Sequence, residues 1–355
     1  MNKQTIVFTG GGSAGHVTPN IAIINELSKD EWTIHYIGSK KGIEKELISK
    51  MGIPYNSISS GKLRRYMDAE NLKDIFRVLK GIMEARSLLK KIKPKLIFSK
   101  GGFVSVPVII AASSLKIPIY IHESDLTPGL ANKISQRFAS KIFTSFEEAA
   151  KYFPANKTVV IGSPIRREIF SGKKERGKRY LDFTKDLPIL TVMGGSLGAK
   201  KMNETVRDSL EMLTANYQIV HLCGKGQKDD SLDNTPGYRQ FEYVNEELPD
   251  ILAATDTVVT RGGSNAIFEF LALKIPMLII PLTKKQSRGD QILNAQAFSK
   301  KGYALTLEEE KLSKHSLIQS LENLEKNKEK IISTMETSPM GDALSVLIKE
   351  IERNR

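Results

Sequence analysis

The sequence predicts an α/β protein built from two doubly wound, parallel-sheet halves. Three observations carry this. Short apolar runs of strand length alternate with helical patterns along the chain, as in parallel sheets covered on both faces. The series restarts near the middle: TIVFTGGGSAG at 5–15 and ILTVMGGSLGA at 189–199 both read strand, glycine-rich turn, helix. A length of 355 residues with 40% hydrophobic side chains suits two ordinary domains better than one.

In the first half, strands are expected at 5–9, 33–37, 96–98, 119–122, 141–144 and 158–161. A helix is expected over 19–27, with Pro19 in its first turn, where a missing N–H costs nothing. In the second half, strands are expected at 189–193, 218–222, 257–260 and 277–281. The boundary falls in the polar, basic stretch 162–185, and we place the domains at 1–163 and 164–355. From about residue 312 the pattern is helical and charged, with a last helix able to pack back on the first domain.

The charge balance excludes some functions and suggests others. There are 53 Lys and Arg against 40 Asp and Glu, a net of +13. Such an excess suits phosphate-bearing ligands or an acidic membrane face. Nucleic acid is not expected, because no recognition module is visible. Cys223 is the only cysteine, which rules out an intrachain disulfide and disfavours a thiolate metal cluster. No signal peptide is visible, and no run approaches the ~20 apolar residues that span a bilayer. A cytoplasmic protein is expected.

Four glycine-rich turns follow strands and open helices: Gly10–Gly15, Ser99–Ser105, Gly194–Gly198 and Arg261–Asn265. One such turn is routine packing. Four point to ligands with several phosphate groups held by backbone N–H groups at helix N-termini. Gly10, Gly12 and Gly15 match the dinucleotide pattern, but an NAD site also expects an acid at the end of the second strand. That strand ends Ile37-Gly38-Ser39-Lys40, so NAD is disfavoured.

Other residues fit two readings each. His16, at the junction of the first turn and its helix, fits a polar cap or a base that takes a proton from an attacking hydroxyl. Glu269, a turn and a half into the helix after Gly263, fits a plain helix glutamate or a carboxylate holding a ribose. Asp290 and Gln291 fit a solvated loop or contacts to sugar hydroxyls. Over 62–95, Leu72, Phe76, Leu79 and Ile82 recur near helical spacing among Lys73, Arg77 and Lys80. That pattern fits packing on the sheet or a helix resting on anionic lipid.

Taken together, GGGSAGHVTP, SKGGFVSVP, HESDLTPGLAN, GSPIR, MGGSLGA, TRGGSNAIFE and DQILNAQ resemble, in order and spacing, the MurG family of glycosyltransferases. The resemblance runs over nearly the whole chain. It implies the GT-B fold, with two Rossmann-like domains facing a cleft. It also implies inverting transfer of GlcNAc from UDP-GlcNAc to lipid I, giving lipid II for peptidoglycan, with no cofactor and no metal. Ser13, Ala14, Gly15 and His16 would then lie in the cleft, and the two N-terminal glycine turns, with Gly101 and Gly102, would face the acceptor diphosphate. Arg166 and Ser196 would bind the donor near its diphosphate, and Val244 would contact uracil through its backbone. Ser264, Asn265 and Ala266 would meet phosphate, Glu269 the ribose, and Asp290 and Gln291 the GlcNAc hydroxyls. Leu72, Phe76, Leu79 and Ile82 would form the membrane patch. The implied location is the cytoplasmic face of the cell membrane, with an anionic lipid surface and wall-synthesis proteins as partners. One position departs from the family: Asp125, in His122-Glu123-Ser124-Asp125, stands where the usual run has an asparagine that contacts the donor sugar. His16 is the first candidate base and Glu123 the second. The competing activities are diacylglycerol glycosyl transfer and NAD-dependent oxidoreduction.

Overall fold

Strands of β-branched and aromatic residues, each followed by a turn and a helix, build two separate sheets in the computed structural model. It describes residues 3–61, 69–195, 199–284, 286–339 and 342–354, with the backbone alone of 69–73. Residues 1–166 and 340–355 form one unit, and 167–339 form the other.

The first unit holds β1 (Gln4–Thr9), β2 (Trp32–Ser39), β3 (Tyr55–Ile58), β4 (Leu96–Ser99), β5 (Ile119–Glu123), β6 (Lys141–Thr144) and β7 (Thr158–Val160). They form a parallel sheet in the order β3-β2-β1-β4-β5-β6-β7. Its helices are α1 (Ala14–Glu26), α2 (Ile43–Lys50), α3 (Ala69–Ile92), α4 (Ser105–Ser114) and α5 (Leu130–Ser135). Alternate residues on each strand serve opposite faces, as the two-residue period requires. Ile6, Phe8, Leu96, Phe98, Tyr120 and Phe143 pack with Val17 and Ile23 of α1. Val7, Ile97, Ile119, Ile121 and Ile142 pack with Ala85 and Leu89 of α3 and with Val108 and Ile109 of α4.

The second unit holds β8 (Ile189–Met193), β9 (Gln218–Leu222), β10 (Tyr238–Phe241), β11 (Thr257–Thr260), β12 (Met277–Ile279) and β13 (Ala304–Thr306), in the order β10-β9-β8-β11-β12-β13. Its helices are α6 (Lys174–Leu181), α7 (Lys200–Asp208), α8 (Leu210–Thr214), α9 (Leu248–Ala254), α10 (Ser264–Leu273), α11 (Asp290–Lys300), α12 (Lys314–Lys326) and α13 (Lys328–Glu336). The final helix, α14 (Ala343–Glu352), returns to the first unit and buries Leu344, Leu347 and Ile351 against the α1 face of its sheet.

Two expectations need correction. The helix over 19–27 begins at Ala14, because Ser13 is extended (φ −151°, ψ 155°) and serves as its N-cap residue. Pro19 therefore sits inside α1, buried, where its ring forgoes a hydrogen bond to the Gly15 carbonyl. Three strands that the sequence pattern does not announce, β3, β10 and β13, all lie at sheet edges. With a neighbour on one side only, Tyr-Asn-Ser-Ile, Tyr-Arg-Gln-Phe and Ala-Leu-Thr do not need the continuous apolar run of a central strand.

Candidate active site

The first glycine turn leaves the C-terminal end of β1 and is held from two sides. Below it, Asn20 Nδ2 donates to the Thr9 carbonyl (3.2 Å), and the Tyr36 hydroxyl donates to the Gly10 carbonyl (2.8 Å). On the other side, the buried Glu44 carboxylate accepts from Gly12 N (3.2 Å), Ser39 N (3.0 Å) and Ser39 Oγ (2.5 Å). An acid does therefore follow the second strand, five residues beyond its end. Its oxygens already accept from the turn and from Ser39. The anion cradle expected of this turn is thus partly filled, since a carboxylate occupies the Gly12 N–H. Ser13, Ala14, Gly15 and His16 form the cap and first turn of α1. His16 is half-buried, with Nδ1 2.9 Å from Ser13 Oγ.

The second glycine turn follows β4 and meets the first directly. Gly101 and Gly102 have φ of +87° and +84°. A Cβ on Gly102 would lie 2.2 Å from the Gly11 carbonyl oxygen, so only glycine permits the contact. Lys100, 2% exposed, runs beneath both turns. Its Nζ is 2.5 Å from His122 Nδ1 and 2.5 Å from Ser124 Oγ. Burial pushes its ammonium down to about 7, against the pull of Glu123 and Asp125. Glu123 is pushed up to about 7 by burial and then by Asp125. Its carboxylate accepts from Asp125 N (3.0 Å), Gly129 N (3.1 Å) and Asn132 Nδ2 (2.9 Å). Both oxygens serve the 124–129 turn, and the residue is 5% exposed. That geometry suits a carboxylate that shapes a turn better than one that reaches a substrate. Asp125 is half-buried in that turn, and half-buried Arg166 closes the unit after Gly162-Ser163-Pro164-Ile165.

In the second unit, the third and fourth glycine turns line one cavity of about 300 Å3 at the C-terminal ends of β8, β9 and β11. Met193, Leu222, Tyr243, Val244 and Leu248 supply apolar wall; Glu242, Arg261 and Gln291 supply polar edges. Of the residues singled out in the sequence, Val244, Ala266 and Gln291 line it. Ser264, Asn265 and Glu269 lie on α10, whose N-terminus opens beside it with Gly263 as cap residue. Asp290 and Gln291 begin α11 rather than lying in a loop. Gln291 Oε1 accepts from Leu282 N (3.1 Å), which fixes its amide. Buried Asn294 donates to the Gly262 carbonyl (3.1 Å), tying α11 to the fourth turn. Arg261 pairs with Glu309 at 2.5 Å, with side chains 7% and 4% exposed, and Arg261 Nη1 donates to the Ile280 carbonyl (3.0 Å). Ser196 lies outside the described residues.

With this geometry the comparisons are decisive. Residues 6–144 match the glycosyltransferase family 28 N-terminal domain, and residues 189–351 match its C-terminal domain. A Bacillus cereus protein named UDP-N-acetylglucosamine–N-acetylmuramyl-(pentapeptide) pyrophosphoryl-undecaprenol N-acetylglucosamine transferase 2 is 59% identical over 98% of this chain and 99% of its own. A Clostridium perfringens protein of the same name, without the numeral, is 51% identical over 100% and 99%. The chain belongs to the MurG family, glycosyltransferase family 28. The crystal structure of Acinetobacter baumannii MurG superposes with a TM-score of 0.78 over 99% of both chains, at 21% identity, and the fold is GT-B.

The surface that the MurG resemblance marks as a membrane patch is only partly as expected. Phe76 and Leu79 are 67% and 52% exposed on α3. Ile82 instead turns inward and packs with Ala85 and Leu89, because 82, 85 and 89 share the sheet-facing side of the helix. The outer face is completed by Ile75 and Met83, 48% and 67% exposed. The Leu72 side chain lies outside the described residues. Among the described residues, no helix is long and apolar enough to cross a membrane.

Lys100 and Glu44 are the site residues that sequence reasoning missed. Lys100 follows β4 within a glycine turn and Glu44 opens α2, and the burial of both depends on neighbours distant in sequence. The Lys100 ammonium makes a specific pH prediction. Its folded value of about 7 lies below its ordinary 10.5, so between these limits the unfolded chain binds a proton that the native chain has lost. The stability this group contributes therefore rises with pH across that window. In urea titrations from pH 7 to 10, the unfolding free energy of wild type minus that of Lys100→Met should grow. A flat or shrinking difference contradicts a buried, depressed lysine.

Proposed function

We propose that this chain is the N-acetylglucosaminyltransferase that adds GlcNAc from UDP-GlcNAc to the muramyl sugar of undecaprenyl-diphospho-MurNAc-peptide, forming lipid II for peptidoglycan. The observation that carries this is near-full-length identity of 51% and 59% to relatives whose names state that transfer, joined to a nucleotide-sized cavity in the unit expected to take the donor.

The two units divide the work. The second binds the donor. Its cavity offers an apolar slot at Tyr243, Val244 and Leu248 that suits a flat base, with Val244 meeting uracil through its backbone. The N-terminus of α10, with Ser264, Asn265 and Ala266, supplies N–H groups and a positive dipole end for phosphate. Glu269 holds the ribose, and Asp290 and Gln291 read the sugar hydroxyls. Ser196 serves the diphosphate by resemblance alone. The first unit takes the acceptor diphosphate at its two glycine turns, where Gly101 and Gly102 complement Ser13, Ala14 and Gly15. Asp125 stands in place of an amide in the turn that Glu123 holds.

The acceptor hydroxyl attacks the anomeric carbon from the face opposite UDP, and His16 takes the hydroxyl proton as the bond forms. The Ser13 hydroxyl beside Nδ1 fixes the ring's orientation, the arrangement a base needs. Glu123, with its oxygens engaged by three donors, supports the turn that carries Asp125. Charge developing on UDP is met by the N–H groups and dipole at the N-terminus of α10, with Arg166 serving the diphosphate by resemblance. Ile75, Phe76, Leu79 and Met83, flanked by exposed Arg77, Lys80 and Arg86, rest on the anionic cytoplasmic leaflet, where the lipid acceptor lies.

Radiolabel transfer from UDP-GlcNAc should appear on lipid I and not on diacylglycerol, with EDTA present. His16→Ala should lower kcat about a hundredfold or more. Transfer to diacylglycerol alone sinks the acceptor assignment, and unchanged turnover removes His16 from its role. Replacing Phe76 and Met83 together by glutamate should abolish sedimentation with phosphatidylglycerol vesicles. Retained sedimentation shows that the lipid contact lies elsewhere.

A further inference from the structure

Lys100 lies too deep to touch a substrate, yet its ammonium bears on the one segment that leads to Arg166. The Gly162 carbonyl only accepts, so His122 Nε2 beside it carries the ring proton and Nδ1 is left to accept from Lys100 Nζ at 2.5 Å. Burial and the nearby Lys100 charge hold the His122 imidazole neutral, well below its ordinary range. A neutral ring has one proton, which then sits on Nε2. Nε2 is 3.1 Å from the Gly162 carbonyl and donates to it. The opposite tautomer would set the Nε2 lone pair against the Gly162 carbonyl oxygen, a repulsive contact in a buried site, and would leave Lys100 Nζ without its acceptor on the ring.

Gly162 has φ +86°, a backbone state that other residues rarely hold. It starts the run Gly162-Ser163-Pro164-Ile165-Arg166. From there the chain turns out of the sheet, and Pro164 stiffens its course. Gly162, Ser163 and Pro164 are buried, and Arg166 is half-buried. A shift at Gly162 is therefore passed along a short, packed segment to the guanidinium.

We propose that Lys100 is a positioning residue for the donor side of the reaction: by donating to Nδ1 it locks His122 in the Nε2–H tautomer that anchors Gly162, and so sets the course of the segment that delivers Arg166. The proposal rests on the transferase reading, in which Arg166 meets the donor diphosphate. The second glycine turn is thereby tied to donor binding, although its glycines face the acceptor.

The test uses the full-length protein labelled with 15N-histidine, with the His122 resonances assigned by their loss in His122→Gln. In wild type, long-range 1H–15N spectra should show His122 protonated on Nε2 alone. In Lys100→Met the two tautomers should exchange or invert, and kcat/KM for UDP-GlcNAc should fall about tenfold, the scale of a small misplacement of a charge-stabilising group. The glutamine of His122→Gln can donate its own amide to Gly162. In that background Lys100→Met should cost nothing further. A tautomer unchanged by Lys100→Met, or an equal loss in both backgrounds, overturns the proposal. Should Lys100→Met fail to fold, wild type alone decides, because a proton found on Nδ1 overturns it. A wild type that moves no GlcNAc sinks the transferase reading but leaves the tautomer lock to be judged by its spectra.

Discussion

The first unit depends on a contact that no side chain makes. Gly102 packs against the carbonyl of Gly11 so closely that a single added carbon would sit 2.2 Å from that oxygen. This approach binds the turn after β4 to the turn after β1. A Cβ on Gly10 would also lie 3.3 Å from the Cβ of Lys100, so the two turns pack as one body. Removing the contact costs more than surface area, because backbone groups at the ends of two central strands would have to separate. Left-handed backbone at Gly101 and Gly102 adds a further requirement, since other residues hold such angles only at a cost of ~1–3 kcal/mol.

Beside that contact lies a largely buried polar network that includes Lys100 and Glu123. Lys100, His122, Glu123, Asp125 and Asn132 share one network at the ends of β4 and β5, and Glu44 serves the first turn from α2. Burying an ion costs several kcal/mol unless its partners compensate, and here each partner is itself fixed by the backbone. The second unit spends its buried charge differently. Arg261 and Glu309 form a shielded pair, and Arg261 lines the edge of the cavity. Two halves that read alike as strand, turn and helix thus differ at the turn: Glu44 takes the Gly12 N–H of the first, whereas Arg261 and Gly263 of the fourth border a cavity.

Much of this was legible in the sequence because its signals are local. Central strands, buried on both faces, are continuous apolar runs, so 189–193, 218–222 and 257–260 appear where expected. The family resemblance likewise rests on turn residues that backbone geometry demands. What stayed hidden depends on tertiary neighbours. The edge strands β3, β10 and β13 have weak patterns because one side of each lacks a strand. Ile82 faces inward and Met83 outward, a distinction set by where α3 meets the sheet. Gly15 and Pro19 both discourage a helix locally, yet α1 runs through them because Val17 and Ile23 are drawn into the core. Nothing local singles out Lys100 or Glu44, and only the fold makes them interior.

Backbone contact between the two glycine turns organises the side of the first unit that the transferase reading gives to the acceptor. The most direct measurement is lipid II synthesis by Gly102→Ala, with circular dichroism as the control for the sheets. Secondary structure should stay native-like while transfer falls about tenfold or more. Wild-type turnover in that variant would contradict that role of the contact.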